Sequence, residues 1–427
     1  MAASDLVNFD KPQAADLDKC VHCGLCLNAC PTYRELGVEM DSPRGRIYQM
    51  VQVATGATPI NDAYREHISL CLACRACETA CPSGVPYGRL VEAARADIEN
   101  HTERPWHQRL LQWIVFHHVL PSRFHLQIAG QVIRIQQALG LKLPWGRLGE
   151  LQRLAPKIET PFFYRFYGKT LAAEGQQRYR VAFLGGCIAN VSFARLNEAT
   201  VRVLQKNGCE VTIPAAQTCC GALHVHAGIR PEARRLARQN IDAVLGGNYD
   251  AIITNAAGCG STLKEYGELL EQDPEYRERA DRFSALTKDV TEFLASIDLN
   301  RNMRTLPVTV TYQDSCHLAH GQRIRSAPRQ LLASIPGLQF REMPLSDLCC
   351  GSAGIYNVIH TGMALSILEK KMQYANATPA EVIATANPGC MLQLRAGVER
   401  HGHGQRVAHV VELLDEAYAV SPGEAPQ

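Results

Sequence analysis

The 427-residue sequence has no marked excess of either charge, because 44 Lys and Arg residues against 42 Asp and Glu residues leave a formal net charge of +2. With so little net charge we expect no nucleic-acid partner. The sequence also lacks the run of about 20 apolar residues that a transmembrane helix needs. A strongly apolar stretch such as residues 113–116 leads directly into His117 and His118. We therefore expect a chain that does not span a membrane.

Several sequence signals are missing as well. Residues 1–19 contain Asp5, Asp10 and Asp16 and have no apolar segment of the kind found in secretory signals, so we expect a cytoplasmic protein. No GxGxxG pattern opens a helix after a strand, and no GxxxxGK[ST] pattern occurs. These absences argue against a dinucleotide-binding fold or a P-loop on this chain, and we do not expect it to bind a flavin.

Cysteine, by contrast, is abundant, with 17 residues. Eight of them form two copies of the pattern CxxCxxCxxxCP, namely Cys20, Cys23, Cys26 and Cys30, then Cys71, Cys74, Cys77 and Cys81. Three thiolates spaced by three residues can surround one face of a cubane cluster, and in two-cluster ferredoxins the fourth Cys of each run ligates the other cluster. The pattern therefore predicts two 4Fe-4S clusters. Their expected ligands are Cys20, Cys23, Cys26 and Cys81 for one, and Cys71, Cys74, Cys77 and Cys30 for the other.

Zinc and disulfides are the alternatives to this interpretation. Zinc usually takes two CxxC pairs and has no use for a third evenly spaced Cys followed by CxxxC. Disulfides belong to oxidising compartments, and the sequence shows no secretory context. Pro31 and Pro82, which follow the last Cys of each run, turn the chain away because proline has a fixed φ and no N–H.

Residues 10–100 are expected to form one cluster-binding domain. The two runs begin 51 residues apart, which leaves room for helices between them. Ser42 and Pro43 precede apolar positions at Ile47, Met50 and Val51, a pattern typical of a helix start. We therefore predict an α-helical ferredoxin module.

Residues 101–177 are expected to form a basic helical connector. Within residues 101–157 five histidines accompany eight basic residues and two acidic ones, which are Arg104, Arg109, Arg123, Arg134, Lys142, Arg147, Arg153 and Lys157 against Glu103 and Glu150. Apolar residues at helical spacing accompany these charges. Such amphipathic helices can lie on an anionic membrane or dock on a partner subunit, and a simply solvated basic face is the third alternative.

Residues 178–420 contain an internal repeat, which we divide into domains at 178–300 and 301–420. Residues 178–184 and 308–312 are predicted strands that each lead to a cysteine, and each repeat then has a CCG triplet and a last strand before one more Cys. The intervals from the first Cys to CCG are 32 and 33 residues, and those from CCG to the last Cys are 39 and 40. Matching intervals and alternating strands and helices predict a small parallel sheet in each copy.

The repeated cysteines form a second group of candidate metal or redox residues. They are Cys187, Cys219, Cys220 and Cys259 in the first copy, and Cys316, Cys349, Cys350 and Cys390 in the second. Two copies facing one another would bring all eight towards one cleft, where a third iron-sulfur cluster is one hypothesis and buried packing is the other. Cys209 has no counterpart and fits packing. We do not assign His224, His226, His317 or His320 as ligands.

With paired CxxCxxCxxxCP runs followed by two CCG repeats, the chain resembles the iron-sulfur subunit of bacterial glycolate oxidase over about residues 10–415. Similar architecture occurs in the lactate-utilisation iron-sulfur protein, in subunits of anaerobic glycerol-3-phosphate dehydrogenase and in heterodisulfide reductase. The resemblance implies an α+β multidomain fold, with an N-terminal α-helical ferredoxin module and two tandem α/β CCG cysteine-rich repeats. One departure is that Ala256 and Asn387 stand where the heterodisulfide reductase type has a further cysteine, which favours the glycolate and lactate branch.

The resemblance also implies a function. A partner flavoprotein carrying FAD would oxidise glycolate to glyoxylate, or D-lactate to pyruvate, and this chain would pass the electrons towards a quinone or another acceptor. The expected location is the cytoplasm, with peripheral contact to the inner membrane as one alternative. Other readings are a relay subunit for lactate or glycerol-3-phosphate oxidation, a catalytic disulfide reductase, and a cluster-based sensor. A sensor would usually carry a DNA-binding element, and the sequence shows none.

Overall fold

The computed structural model describes residues 9–141, 149, 152 and 155–419. Of the charged residues singled out above, Asp5, Lys142, Arg147, Glu150 and Arg153 lie outside this part of the chain, as does residue 420 at the end of the second expected repeat domain.

Described residues up to 101 contain helices and loops. The helices are Ala14–Leu17, Pro31–Leu36, Pro43–Ala54, Asp62–Ser69, Ala76–Thr79 and Tyr87–His101, with a 3-10 turn at Glu39–Asp41. The predicted helix after the first cysteine run is Pro43–Ala54. It begins where expected because the Ser42 hydroxyl accepts a hydrogen bond from the Gly45 N–H at 3.0 Å and Pro43 occupies its first turn. Ile47 and Met50 face a core shared with Tyr64, Ile68 and Leu90.

The connector consists of helices at Trp106–Trp113 and Arg123–Ala138, joined by a π-helical segment at Ile114–Val119, and a 3-10 turn follows at Phe163–Phe166. We refer to residues 106–141 as the connector helices. Their buried residues include Phe116, Leu120 and Leu126, whereas most of their large apolar side chains are exposed. None of the helices in the described parts of the chain is long and apolar enough to cross a bilayer.

The first repeat is an α/β unit around a five-stranded sheet. Its strands are β1 (Thr170–Leu171), β2 (Tyr179–Phe183), β3 (Cys209–Thr212), β4 (Ala251–Thr254) and β5 (Thr287–Asp289), in the order β1-β3-β2-β4-β5. β1 is antiparallel to β3 and the other pairs are parallel. Its helices are Ala189–Ser192, Ala194–Lys206, Ala222–His226, Arg230–Leu245, Ala257–Lys264, Tyr266–Leu269, Arg277–Leu286 and Val290–Ser296.

The second repeat has a four-stranded, fully parallel sheet. Its strands are β6 (Thr309–Tyr312), β7 (Gln339–Glu342), β8 (Val382–Thr385) and β9 (Arg406–His409), in the order β7-β6-β8-β9. This order is the same as β3-β2-β4-β5 in the first repeat. The helices are Ser326–Ala333, Tyr356–Ile359, Thr361–Asn376, Pro388–His401 and Val410–Tyr418, with a π-helical segment at His317–Gly321.

The two repeats share one hydrophobic core. Phe183 on β2 and Tyr312 on β6 belong to the same buried cluster, and helix Ala194–Lys206 of the first repeat packs against Val410–Tyr418 of the second. Burying an apolar side chain of this size contributes about 1.5–3 kcal/mol, so the shared core holds the sheets in a fixed relation. A smaller cluster joins Leu72 and Cys74 of the N-terminal module to Cys349 and Ile367.

Candidate iron-sulfur centres

The eight N-terminal cysteines line two neighbouring cavities. The first is lined by Cys20, Cys23, Cys26 and Cys81, and the second by Cys30, Cys71 and Cys74. Cys77 borders both. Each cavity thus contains three cysteines of one run together with the last cysteine of the other, the grouping expected for crossed ligation. That these thiols hold clusters stays a prediction.

The two cysteine loops have matching backbone conformations. His22 and Ala73, each two residues after the first Cys of its run, have φ values of 53° and 51°. Gly24 and Arg75, each directly after the second Cys, have φ values of 86° and 63°. Left-handed conformations are rare for residues other than glycine and concentrate at functional sites. The loops therefore fold alike around each cavity, which fits a similar cofactor in both.

The cavities differ in their exposure to solvent. Cys23 is exposed and Cys20, Cys26 and Cys81 are half-buried, whereas Cys30, Cys71, Cys74 and Cys77 are buried. Burial raises the pKa of Cys74 and Cys77 well above the ordinary value. A bound metal deprotonates its thiol ligands outright, so iron would hold these buried sulfurs as thiolates. The first cavity is the one that a partner protein could approach closely.

Polar groups surround the second cavity. Donors to sulfur are the Ala73 N–H, at 3.3 Å from Cys71 Sγ, and the Tyr87 hydroxyl, at 3.6 Å from the same atom. Arg46 is fully buried beside them, and its guanidinium donates to Thr32 Oγ1, Asp41 Oδ1 and the His67 carbonyl. Hydrogen bonds to cluster sulfurs and burial are what set cluster potentials. The sequence pattern around Arg46 indicates a helix start and gives no sign of these buried contacts.

The first repeat gathers its four cysteines at the carboxyl ends of its parallel strands. The Cys219 thiol contacts those of Cys187 and Cys220, and the Cys220 thiol also contacts that of Cys259. Hydrogen bonds from Cys219 and Cys259 hold the pKa of Cys220 well below its ordinary value. The group therefore shares its protons and can present a thiolate to a metal or oxidant.

The second repeat forms a separate group of the same kind. The Cys349 thiol contacts those of Cys316 and Cys350, and the Cys350 thiol contacts that of Cys390. The structure therefore differs from the expectation of one cleft for all eight thiols. Each sheet collects only the cysteines that follow its own strands, so the chain has two groups of four.

The backbone conformation of each CCG triplet requires a glycine at its third position. Gly221 and Gly351 have φ values of 85° and 88°, and their N–H groups donate to Cys219 Sγ and Cys349 Sγ at 3.5 and 3.4 Å. A Cβ atom on Gly351 would collide with the Ala364 carbonyl oxygen. Only glycine adopts this turn without strain while the backbone bends tightly round the thiol.

Asn387 stands in the second repeat where the heterodisulfide reductase type has a further cysteine, and its side chain makes polar contacts. The Asn387 side-chain amide donates to Cys390 Sγ at 3.4 Å, and its oxygen accepts from the Gly258 N–H of the first repeat at 3.4 Å. Ala256, the corresponding residue of the first repeat, is buried and offers no polar group. The two repeats therefore differ at this position, and Asn387 links them.

The second group of CCG cysteines lies against the buried ferredoxin cavity. Cys74 and Cys349 belong to one buried cluster, which Cys316 borders. The Tyr356 hydroxyl donates to the Leu70 carbonyl at 3.0 Å across the same boundary. A redox centre in the second repeat would therefore neighbour the second ferredoxin centre.

The four histidines left unassigned above make separate contacts. His224 Nε2 donates to the Phe116 carbonyl at 2.7 Å and His320 Nε2 to that of Asp347 at 3.0 Å. His317 Nε2 donates to the Ala73 carbonyl at 3.1 Å, and its ring lies 5.2 Å from that of His226. Burial lowers the pKa of His317 to about 3, so its imidazole is neutral. These residues position the loops around the thiols.

Two tyrosines near the first repeat's thiols were not among the candidate residues expected from the sequence. Tyr164 and Tyr167 line a cavity together with Cys187 and Cys219. The signal that could have found them is the density of aromatic residues in the run Phe162-Phe163-Tyr164-Arg165-Phe166-Tyr167.

Comparison with protein families gives two matches. The family described as "CCG: Cysteine-rich domain" matches residues 181–264 and again 310–395. The family described as "4Fe-4S dicluster domain" matches residues 16–85. The predicted fold class, a helical ferredoxin module followed by two CCG repeats, is thereby confirmed, as is an iron-sulfur cofactor.

Comparison with known proteins gives relatives of nearly equal length and shorter relatives that match part of this chain. The chain is 41% identical over 423 residues to the probable glycolate oxidase iron-sulfur subunit of Bacillus subtilis, covering 96% of this chain and 95% of the relative. It is 33% identical over 408 residues to the glycolate oxidase iron-sulfur subunit of Escherichia coli, covering 94% of each. Lactate utilization protein A of Oceanobacillus iheyensis is 30% identical over 240 residues, which are 55% of this chain and 96% of that protein.

Solved structures share the fold at low sequence identity. A crystal structure of a hypothetical protein from Helicobacter pylori superposes with a TM-score of 0.56 and 8% identity, covering 98% of this chain and 75% of the other.

Proposed function

Because the chain belongs to the family of glycolate oxidase iron-sulfur subunits, we propose that it is the electron-transfer subunit of a glycolate-oxidising complex. A flavoprotein subunit carrying FAD would oxidise glycolate to glyoxylate, and this chain would pass the electrons to a quinone or another acceptor. The observation that carries the proposal is the alignment over 96% of the chain at 41% identity, which includes every domain described above.

The proposed ligands are the eight N-terminal cysteines, grouped as in the two cavities. When bound, 4Fe-4S clusters supply one-electron carriers whose potentials respond to hydrogen bonding and burial. The chain's own contribution is to hold the thiols, to donate hydrogen bonds to Cys71 Sγ from Ala73 and Tyr87, and to exclude water from the second cavity. The CCG groups are proposed as further cluster or redox thiols.

The flavoprotein is proposed to dock over the first cavity. Val21 and Leu25 line this cavity beside the exposed Cys23, and both side chains are themselves exposed. Exposed apolar residues next to a redox centre are suited to a protein interface, and electron transfer requires close approach. We call Val21 and Leu25 the docking surface.

Peripheral membrane contact is proposed for the connector helices. No Asp or Glu occurs in residues 104–149. Their exposed apolar side chains are Trp106, Leu110, Leu111, Trp113, Ile114, Phe124, Ile128, Val132, Ile133, Ile135, Leu139 and Leu141. Helices with exposed aromatic and aliphatic residues and only positive charges bind anionic lipid surfaces. The proposed location is therefore the cytoplasmic face of the inner membrane.

A lactate-oxidising complex is the second candidate. The similarity to lactate utilization protein A favours it, although that match covers 55% of this chain. D-lactate differs from glycolate by one methyl group, so the flavoprotein and not this chain would decide between them.

The test is substrate-dependent reduction of the chain by its partner. The complex with its flavoprotein subunits is purified without oxygen and given glycolate, D-lactate or glycerol-3-phosphate in turn. Reduction is followed by bleaching of iron-sulfur absorbance and by EPR. Reduction by glycolate supports the proposal, reduction by D-lactate alone supports the second candidate, and reduction by neither contradicts both. The flavoprotein alone, without this chain, is the control.

Iron analysis of the same preparation measures the cluster content. About eight irons per chain would correspond to two 4Fe-4S clusters, and about twelve or sixteen to one or both CCG groups holding a cluster as well. Little iron with bound zinc would overturn the electron-transfer proposal.

A further inference from the structure

A cavity of about 540 Å³ lies between the connector helices and the first repeat. Its floor includes Cys187 and Cys219, and its walls include Arg123, Phe124, Tyr164 and Tyr167. Its size falls in the range of cavities that bind small organic ligands. It is separate from the two ferredoxin cavities.

The cavity lining combines apolar and polar groups in about equal measure. The Tyr164 and Tyr167 rings lie 5.2 Å apart, and the Tyr167 hydroxyl accepts a hydrogen bond from the Asn190 amide at 2.8 Å. Burial raises the pKa of both tyrosines, so each keeps the proton that it can donate, and the positive charge of Arg123 acts on Tyr167. Leu120, Pro121 and Leu126 line the cavity with apolar surface. An apolar ring with two carbonyl oxygens matches this lining.

The connector helices are attached firmly to the first repeat at this point. Leu126 packs in one buried cluster with Cys187 and Cys219. The Thr218 hydroxyl donates to the Pro121 carbonyl at 2.9 Å, and His224 Nε2 donates to the Phe116 carbonyl at 2.7 Å. The helices therefore hold the cavity wall on one side and expose apolar residues on another.

The rim of the cavity is continuous with that exposed apolar surface. Phe124 lines the cavity and is exposed, and Ile128, one helical turn further along the same helix, is exposed as well. A ligand with a long apolar tail could therefore place its headgroup between Arg123 and the tyrosines while the tail follows the helix into lipid.

We propose that this cavity binds the headgroup of a membrane quinone close to the Cys187 and Cys219 thiols. The inference rests on the proposed function, which supplies both the electrons and the membrane. It identifies the first repeat as the part of the chain at which electrons leave.

The proposed reaction at this site is the reduction of a quinone to a quinol. Reduction of a quinone converts its two carbonyl oxygens to hydroxyls and takes up two electrons and two protons. The electrons come from the hydroxy acid oxidised on the flavoprotein. The protons come from water at the cavity mouth, and the Tyr164 and Tyr167 hydroxyls are placed to pass them to the headgroup oxygens. Arg123 can neutralise negative charge on the headgroup while it is reduced.

The experiment measures quinone-site binding by the complete, iron-loaded complex in detergent. The probe is 2-heptyl-4-hydroxyquinoline N-oxide, a fluorescent quinone analogue whose emission is quenched when it binds. Ala216→Trp fills the rim of the cavity and is expected to weaken binding about tenfold or more. Ala216 is exposed, so the larger side chain can be accommodated without disturbing the core. The matched control is Ala285→Trp, at an exposed helical position of the same repeat outside the cavity lining.

A second pair of variants keeps the test independent of packing. Arg123→Gln and Arg134→Gln each remove one exposed positive charge from the same helix, and only Arg123 lines the cavity. We expect Arg123→Gln to weaken probe binding about fivefold and Arg134→Gln to leave it unchanged. Iron content is measured for all four variants.

Labelling with a photoreactive azidoquinone locates the site directly. Attachment to peptides that contain residues 120–126 or 215–219 supports the proposal. Attachment elsewhere, or equal binding by Ala216→Trp and the unaltered protein, overturns it. Displacement of the probe by glycolate or D-lactate but not by a quinone also overturns it, because the cavity would then be a carboxylate site.

The two proposals can fail separately. If glycolate reduces the chain through the flavoprotein but the probe does not bind, only the quinone site is wrong. If the probe binds in the cavity but no substrate reduces the chain, the glycolate-oxidising function is wrong while a quinone site remains.

Discussion

Single residues without sulfur hold the loops around the cysteine cavities through buried hydrogen bonds. Arg46 is the clearest example, since it is fully buried and its guanidinium satisfies Asp41, Thr32 and the His67 carbonyl. The Thr32 hydroxyl in turn lies 3.3 Å from Cys30 Sγ. Removing one partner of such a buried ion pair costs about 3–5 kcal/mol because the other charge is left unpaired. We therefore expect binding of the proposed clusters to depend on a polar network that the cysteine pattern does not reveal.

The crossed grouping of the cysteines predicts different outcomes for two double variants. Cys30→Ala with Cys71→Ala removes two cysteines from one cavity and should abolish one cluster, leaving about four of eight ferredoxin irons. Cys81→Ala with Cys71→Ala affects both cavities and should abolish both clusters. The measurement is iron and acid-labile sulfide per chain after anaerobic purification.

The opposite pattern of iron loss would show that each run holds its own cluster. Cys209→Ala serves as the control. Cys209 is fully buried in the shared core at the start of β3, so its replacement should leave the iron content unchanged. Its effect should be limited to a small loss of stability from the missing sulfur atom.

At the scale of elements, helix Val290–Ser296 illustrates how a buried cap links folding to pH. Asp289 accepts hydrogen bonds from the Thr291 N–H at 2.8 Å and the Thr291 hydroxyl at 2.5 Å, and Glu292 completes a capping box. Burial raises the pKa of Asp289 to about 6. In the unfolded chain the pKa has its ordinary value of 3.8. The folded state therefore binds more protons between these two values.

The sign of the pH effect follows from this difference. The contribution of Asp289 to the free energy of unfolding is fully present below about pH 4. It is lost as the pH rises to about 6, because the folded state then loses its proton. We expect the stability of Asp289→Asn relative to the unaltered protein to increase by about 1–2 kcal/mol between pH 5 and pH 7 and to stay level above that. Urea unfolding of both iron-loaded proteins at each pH measures this difference in the free energy of unfolding.

Asp298→Asn is the control for this titration, since the Asp298 side chain is 89% exposed. Its stability difference should not change over the same range. A difference for Asp289→Asn that is equally independent of pH would show that Asp289 does not titrate between pH 5 and pH 7.

The connector helices give a second prediction at this scale. Ile135→Glu places a negative charge among their exposed apolar residues, and we expect it to weaken binding to vesicles of anionic phospholipid about tenfold. Repulsion from the lipid headgroups and loss of apolar burial act in the same direction. Co-sedimentation with vesicles measures binding, which should also weaken as salt is added.

Ile359→Glu is the matched control, since Ile359 is 52% exposed and Ile135 is 58% exposed. Ile359 belongs to the second repeat, away from the connector helices. Equal loss of vesicle binding in both variants would contradict a membrane role for the connector helices.

At the scale of the whole molecule, two exposed apolar surfaces adjoin different candidate centres. The docking surface, Val21 and Leu25, borders the half-buried first ferredoxin cavity. The second cavity neighbours Cys349 of the second repeat, and the first repeat carries the connector helices. The arrangement suits a chain that receives electrons at one surface and delivers them at another.

This separation predicts reciprocal effects of two variants. Leu25→Glu should weaken association with the flavoprotein subunit about tenfold while vesicle binding is unchanged. Ile135→Glu should weaken vesicle binding and leave association unchanged. Analytical size-exclusion chromatography at several concentrations measures association. Loss of both properties in either variant would contradict two separate surfaces.

Much of the architecture could be predicted because it depends on local spacing. Strands expected at 178–184 and 308–312 are present as Tyr179–Phe183 and Thr309–Tyr312, and the helix predicted after Ser42 is Pro43–Ala54. Alternating apolar residues and capping residues determine such elements within a few positions. The role of Tyr164 and Tyr167 could not be predicted in this way, because their neighbours Arg123 and Cys187 come from other parts of the chain.

The sequence alone determined the chemistry of the candidate sites and the existence of a repeat, because both depend on the intervals between cysteines along the backbone. Only the tertiary structure decided which thiols meet. It separates the CCG cysteines into two groups of four, since each parallel sheet brings together only its own strand ends. It also decided that Cys74 lies beside Cys349 and that Leu126 covers Cys187. Contacts between residues so distant in sequence arise from packing of whole domains, which no local pattern encodes.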